Sequence, residues 1–241
     1  MNKRSFNLIS LTGLLAITFL FSSCKKGLDN DVQTFPVAGL MAFNLIPDNG
    51  AVGFAISGNI LTNYPLSFSN YTGGYQGVYV GDRIVTSYNY NSGAILANTS
   101  QLFEDSAWYS VFALGANGKY RNIIVKDNLD SLPSTTEEAF VRYVNAIPDS
   151  TIEPMVNISS NGTNVFNNNA AFASVSEFKG ITPGSISIKV NNESAINSSR
   201  TITVEKGKIY TVLLTGIPGQ SDSTKAVQIS FIQNGAVTTT P

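Results

Sequence analysis

The chain has 241 residues, of which 43% are hydrophobic and only 13% are charged, against about a quarter charged in an average soluble protein. It contains no His and a single Cys, Cys24. This excludes His-dependent catalytic triads, zinc sites with His ligands and any disulfide within the chain. The net charge of −1 gives no electrostatic support for nucleic acid as a partner.

Residues 1–23 have the pattern of a secretory signal. Lys3 and Arg4 form a positively charged n-region, and a largely apolar stretch follows up to Phe21, as in the h-region of a signal peptide. The stretch ends in Leu-Phe-Ser-Ser-Cys-Lys-Lys, which resembles the lipobox of bacterial lipoproteins of the Bacteroidetes type, with Cys24 as the lipidated residue. We therefore predict a bacterial cell-envelope protein anchored by lipid, on the surface or periplasmic face of the outer membrane. The alternatives are a plain signal peptide with an incidental Cys and an uncleaved anchor helix. An anchor of two or more acyl chains holds a protein stably in a bilayer.

The remainder of the chain contains two copies of one unit. The pentapeptide Asn44–Asp48 matches Asn145–Asp149, and the heptapeptide Tyr109–Gly115 matches Tyr210–Gly216, both at a separation of 101 residues. The stretch from Asp127 to Glu138 is rich in Asp, Ser, Thr and Pro, which is typical of a solvated linker. We predict a lipidated Cys and flexible tether at 24–37, a first repeat at 38–128, a linker at 129–138, a second repeat at 139–235 and a tail at 236–241.

Strand patterns fill both repeats. Ile186, Ile188 and Val190 alternate with polar residues, which predicts a strand with one face in a core and the other in water. The stretches Trp108–Leu114 and Ile209–Leu214 are apolar on both faces, which is typical of central strands and predicts that Trp108 lies in the core. Units of about 100 residues fit an all-β fold of two tandem immunoglobulin-like β-sandwich domains.

The second repeat resembles domain-of-unknown-function family 4397. The resemblance lies in Val141–Asp149, where a strand ends in Asn-Ala-Ile-Pro-Asp, in Pro183-Gly184 before the next strand, and in Tyr210-Thr211-Val212. The first repeat keeps Asn44, Pro47 and Asp48 of this pattern. The resemblance implies a β-sandwich of the kind found on bacterial lipoproteins and secreted proteins, and it implies no established activity.

Acidic residues are the candidates for chemistry. Asp48 and Asp149 occupy equivalent places, and a turn in which each carboxylate accepts backbone N–H bonds explains both. The adjacent pairs Glu104-Asp105 and Glu137-Glu138 point to opposite faces if they lie on strands, whereas a glycosidase needs two facing carboxylates about 5 Å or about 6.5–9.5 Å apart. A carbohydrate-active hydrolase stays an alternative. We predict no metal site, no cofactor and no catalytic activity.

Tyrosine is unusually dense between residues 64 and 90, where Asn residues are interleaved with it. Flat rings beside amide groups can stack on sugars or contact a protein, so the candidate ligand-binding residues are Tyr71, Tyr75, Tyr79, Tyr88 and Tyr90. Packing within a sheet is the structural alternative. We predict a binding or adhesion module for a glycan or an envelope protein partner; a purely structural spacer is a further alternative.

Overall fold

β-strands dominate the residues that the computed structural model describes, which are 35–134, 137–148 and 152–237. The strands of the first copy are β1 (Val37–Leu45), β2 (Val52–Ile56), β3 (Asn59–Ile60), β4 (Asn70–Tyr71), β5 (Gln76–Tyr79), β6 (Gly81–Asn89), β7 (Ile95–Phe103), β8 (Trp108–Ala116) and β9 (Lys119–Lys126). A short 3-10 turn, Leu129–Ser131, follows. The strands of the second copy are β10 (Ala139–Asn145), β11 (Met155–Ser160), β12 (Thr163–Asn169), β13 (Lys179–Ile181), β14 (Gly184–Asn191), β15 (Asn197–Val204), β16 (Lys208–Thr215) and β17 (Gln228–Ala236).

Each copy is a sandwich of an inner and an outer sheet. In the first copy the inner sheet has the order β4-β1-β8-β9, with β5 also pairing β1, and the outer sheet has the order β3-β2-β6-β7. In the second copy the inner sheet is β13-β10-β16-β17 and the outer sheet is β12-β11-β14-β15. The prediction of an all-β, sandwich-type fold is confirmed.

The central pair of each inner sheet is parallel, β1 with β8 and β10 with β16, while the other pairs are antiparallel. Apolar side chains fill the space between the two sheets of each copy, including Phe54, Val85 and Val111 in the first and Ile158 and Ile188 in the second. Each copy therefore has a core of its own. Burial of each of these large side chains contributes about 1.5–3 kcal/mol to stability.

A third apolar core lies between the two inner sheets. Met41, Phe43 and Leu114 of the first copy meet Val144 and Leu213 of the second. The central strands β1, β8, β10 and β16 are therefore buried on both faces, and the chain from Pro36 onward forms one compact unit. The continuous apolar pattern of these strands reflects contact between the copies as well as their central place in a sheet.

Candidate functional site

Two buried asparagines hold the loop that follows the first strand of each copy. Asn44 donates from Nδ2 to two carbonyl oxygens, each at 2.9 Å, and accepts the Ile46 N–H on Oδ1 at 3.0 Å. Asn145 likewise donates to two carbonyls and accepts the Ile147 N–H at 3.1 Å. Both side chains are fully buried, and a buried amide must have such partners. The repeated motif is therefore structural.

A tyrosine near the start of a central strand also recurs. The hydroxyl of Tyr109 accepts the Glu104 N–H at 3.1 Å, and the hydroxyl of Tyr210 accepts the Glu205 N–H at the same distance. A tyrosine that bonds back to the backbone a few residues upstream is the tyrosine corner of immunoglobulin-like sandwiches. The second matching motif is thus structural as well, and it supports the predicted class of fold.

Asp48 connects two turns of the first copy. Its Oδ2 accepts the Asn117 N–H at 2.6 Å and the Tyr120 hydroxyl at 3.1 Å. This fits the interpretation of Asp48 as an acceptor for backbone N–H groups, although the donor comes from the β8–β9 turn. Asp149 lies outside the described residues.

The paired acids have separate structural partners. Glu104 forms an ion pair with Lys126 at 2.8 Å, and its neighbour Asp105 accepts a backbone N–H at 3.2 Å. Glu137 forms an ion pair with Lys206. Among the described residues, no group of three or more His, Cys, Asp or Glu side chains could hold a metal ion. These contacts give the hydrolase alternative no support.

A buried ion pair joins the two copies. Arg142 of β10 donates from Nη1 to Asp127 Oδ1 at 2.5 Å, and both residues are only 2% exposed. The hydroxyls of Ser110 and Tyr75 donate to Asp127 Oδ2 at 2.6 and 2.7 Å, while Arg142 also donates to Ser110 at 2.9 Å and to Thr211 at 3.0 Å. The prediction that Asp127 begins a solvated linker is wrong, because these contacts bury its side chain between the copies.

Tyr75 and Trp108 lie side by side at the edge of this cluster. Burial, reinforced by the negative charge of Asp127, raises the pKa of Tyr75 above its ordinary value of 10.0. The Trp108 ring meets that of Tyr75 edge-on, with centroids 4.8 Å apart, and a Cβ on Gly39 would overlap the indole. Trp108 is 38% exposed, so its predicted place in the core is wrong: it begins β8, at the end of the strand and outside all three cores.

The five candidate tyrosines are divided among different parts of the first copy. Tyr71 stacks on an aromatic ring of β1 at 5.5 Å and packs against the third core, close to the buried cluster that holds Tyr75. Tyr79, at the end of β5, is 60% exposed. Tyr88 and Tyr90 stack on each other at 6.4 Å beside the outer sheet. The structure therefore places Tyr71 and Tyr75 against the third core, and Tyr88 and Tyr90 together at the outer sheet. Ligand binding by any of the five stays a prediction.

The outer sheet of the first copy exposes large apolar side chains to solvent. Its exposed members are Ile60 (66%), Ile84 (50%), Ile95 (64%) and Leu102 (55%). Tyr88 pairs with Ile95 across β6 and β7, and its ring covers Gly53, where a Cβ would overlap the tyrosine. We call Ile60, Ile84, Tyr88, Ile95 and Leu102 the apolar face.

The outer sheet of the second copy is more polar at the aligned positions, and its exposed large apolar side chain is Met155 of β11. At the separation of 101 residues that relates the copies, Ile84, Tyr88 and Leu102 correspond to Ser185, Lys189 and Thr203. Polar residues are the usual choice for the water-facing side of an antiparallel sheet. The apolar face is thus a property of the first copy and not of the fold.

Cys24 and the signal pattern lie outside the described residues. In the part of the chain that the structure describes, no helix has the length and apolar character needed to cross a membrane.

The fold and these contacts define a protein of two β-sandwich repeats joined by a shared apolar core. The model of the family described as domain of unknown function DUF4397 matches residues 139–238, and this confirms the resemblance for the second repeat. None of the curated proteins compared with the chain matches it. Among solved structures, a "putative cell adhesion protein" from Bacteroides eggerthii DSM 20697 aligns at 10% identity, covering 85% of this chain and 97% of that chain, with a TM-score of 0.25.

Proposed function

We propose that the protein is a non-enzymatic, lipid-anchored envelope protein that binds a protein partner through the apolar face of its first repeat. The observation that carries the proposal is the contrast between the two outer sheets, where Ile84 and Leu102 of the first copy stand in place of Ser185 and Thr203. The polar side chains of Thr86, Asn98 and Ser100 lie among these apolar residues on the same face. Exposed apolar patches rimmed by polar residues mark interaction sites. The second copy shows that this fold does not require them.

The chemistry of the apolar face suits a protein better than a glycan. Its exposed members are mostly aliphatic, whereas sugar sites combine aromatic rings with polar groups. The outward-facing positions of β6 and β7 also hold the uncharged polar residues Thr86, Asn98 and Ser100, and their charged residue is Asp82, at the end of the strand. Protein interfaces likewise lack charge at their centre and are enriched in aromatic residues, which Tyr88 and the neighbouring Tyr90 supply.

Site-specific photo-crosslinking in cells tests this proposal. A photoreactive residue at position 84 or 102 is expected to give a discrete adduct with one protein, because both positions lie on the apolar face. The same residue at Ser187 or Thr201, which pair with each other on the outer sheet of the second copy, serves as the matched control. Equal crosslinking from both sheets, or none from either, would support the structural spacer instead.

A second set of variants asks whether the apolar side chains cause the binding. Ile84→Ser and Leu102→Thr give the first copy the residues of the second and should abolish crosslinking from position 95. Both side chains are exposed, and surface substitutions usually change stability by less than about 0.5 kcal/mol. The melting temperature should therefore stay unchanged, and undiminished crosslinking would show that the apolar face is not the contact surface.

A further inference from the structure

A pocket opens at the edge of the first sandwich, where the outer sheet and the inner sheet part. Its volume is about 220 Å³, and it lies between the β2–β3 hairpin and β5. Apolar side chains of the first core form its base, and its rim is mixed. The base contains Ile56, Leu61 and Val78, and the rim contains Ile60, Tyr79 and Arg83.

The second copy builds this edge of the sandwich differently. Its strand β12 has seven residues where β3 has two. The ring of Phe166 on β12 is buried, and Lys179 of β13 lies over it at 4.6 Å. The two copies therefore differ in the strand that borders this edge.

Arg83 places a positive charge at the rim of the pocket. Its Nε and Nη2 donate to the Val80 carbonyl at 3.2 and 2.8 Å, which fixes the side chain. No described carboxylate lies within ion-pair distance of this guanidinium. Nε also donates to the Tyr79 carbonyl at 3.3 Å, and Nη1 makes no hydrogen bond to a described residue. Arginine can bind a carboxylate through two parallel N–H bonds.

The dimensions of the pocket limit what can enter. Sites for whole small molecules measure about 300–1,000 Å³, so this smaller volume suits one apolar group that belongs to a larger ligand. Ile60 is shared by the pocket rim and the apolar face, which makes the two surfaces continuous. A partner lying on the apolar face would therefore reach the pocket.

We infer that the pocket receives an aliphatic side chain of the partner protein, with an adjacent carboxylate of that partner bound to Arg83. This inference rests on the proposed function, because it takes the occupant to be part of a protein. The carboxylate would be that of an Asp or Glu side chain or of the chain terminus. Arg83 and Ile60 would then determine specificity, the first by charge and the second by shape.

Two small probes test the chemistry of the pocket without the partner. N-acetyl-leucine carries an aliphatic side chain and a carboxylate, and N-acetyl-leucinamide carries the same side chain without the charge. Titration of each into the mature chain in detergent micelles would be followed by methyl NMR of Ile60 and Val78. We expect the acid to bind about two- to fivefold more tightly than the amide, as a solvent-accessible ion pair allows.

Three variants complete the experiment. Arg83→Gln should make the two probes bind equally, and Ile60→Trp should weaken both by occupying the rim. Arg121→Gln is the matched control, because Arg121 lies on β9 over the ring of Phe172, and it should change nothing.

Several outcomes would overturn the inference. These are no methyl shift at Ile60 or Val78, equal affinities for acid and amide in the wild-type chain, or micromolar affinity for the free acid, which would indicate a small-molecule site. If the probes bind as expected while crosslinking from the apolar face fails, the charge preference of the pocket stands and its assignment to a partner protein is wrong. Crosslinking without probe binding would leave the proposed function intact and remove the pocket from it.

Discussion

Replacing Asp127 by Asn removes the negative charge that faces Arg142 between the two copies. The guanidinium then stays buried without a counter-charge, at a place where both side chains are almost fully enclosed. Removing one partner of a buried ion pair costs about 3–5 kcal/mol, and the Asp127 carboxylate also accepts hydrogen bonds from Ser110 and Tyr75. Against a total stability of about 5–15 kcal/mol, this loss would lower the folding equilibrium constant more than a hundredfold.

Denaturant unfolding followed by circular dichroism measures this loss. Glu104→Gln is the control: it breaks the exposed ion pair with Lys126, where solvent screens the charges, and should leave the midpoint unchanged. Adding Arg142→Met to Asp127→Asn should recover part of the stability, because the unpaired charge is then gone. Two results would refute the role assigned to this pair. One is a decrease below about 1 kcal/mol in the free energy of unfolding for Asp127→Asn. The other is a decrease in the double variant that exceeds the sum of the decreases in the two single variants.

Three further outcomes are expected. Burial raises the pKa of Tyr75, so above pH 10 the unfolded chain loses a proton that the folded chain keeps. The free energy of unfolding of the wild type should therefore fall by up to about 1.4 kcal/mol per pH unit above pH 10. Denaturant unfolding between pH 9 and 11 should show a smaller fall in Tyr75→Phe. Gly39→Ala should shift the emission spectrum of Trp108, the chain's single Trp, because a Cβ overlaps the indole, whereas Gly77→Ala meets open space and should not. Cys24→Ala should release the protein from the membrane fraction, and unchanged retention would contradict the lipoprotein prediction.

The sequence predicted the features that depend on local chemistry. Asn44 and Asn145 occur in matching motifs because the same loop in each copy needs a buried amide for its backbone. Tyr109 and Tyr210 recur because each fixes the same corner. Alternating side chains in residues 185–190 revealed one face in the core and one in water. Such patterns can be read from the chain because neighbouring residues carry them.

Contacts between the copies could not be predicted in the same way. Arg142 was visible as a charge inside the apolar strand β10, and that signal could have indicated a buried ion pair. Its partner Asp127 stands in a segment whose composition is that of a linker, so composition assigned it to water. The third core gives a second reason for the apolar pattern of the central strands, since about half of their side chains pack against the other copy.

The duplication separates residues that maintain the fold from residues that serve one copy alone. Asn44 and Tyr109 keep their identity in the second copy, at Asn145 and Tyr210, and all four make the same contacts. Ile84, by contrast, aligns at the separation of 101 residues with Ser185, which lies on the corresponding outer strand. An exposed apolar surface lowers solubility and promotes aggregation, and the outer sheet of the second copy exposes fewer large apolar side chains. The apolar face therefore calls for a compensating role, and a bound partner that covers it supplies one.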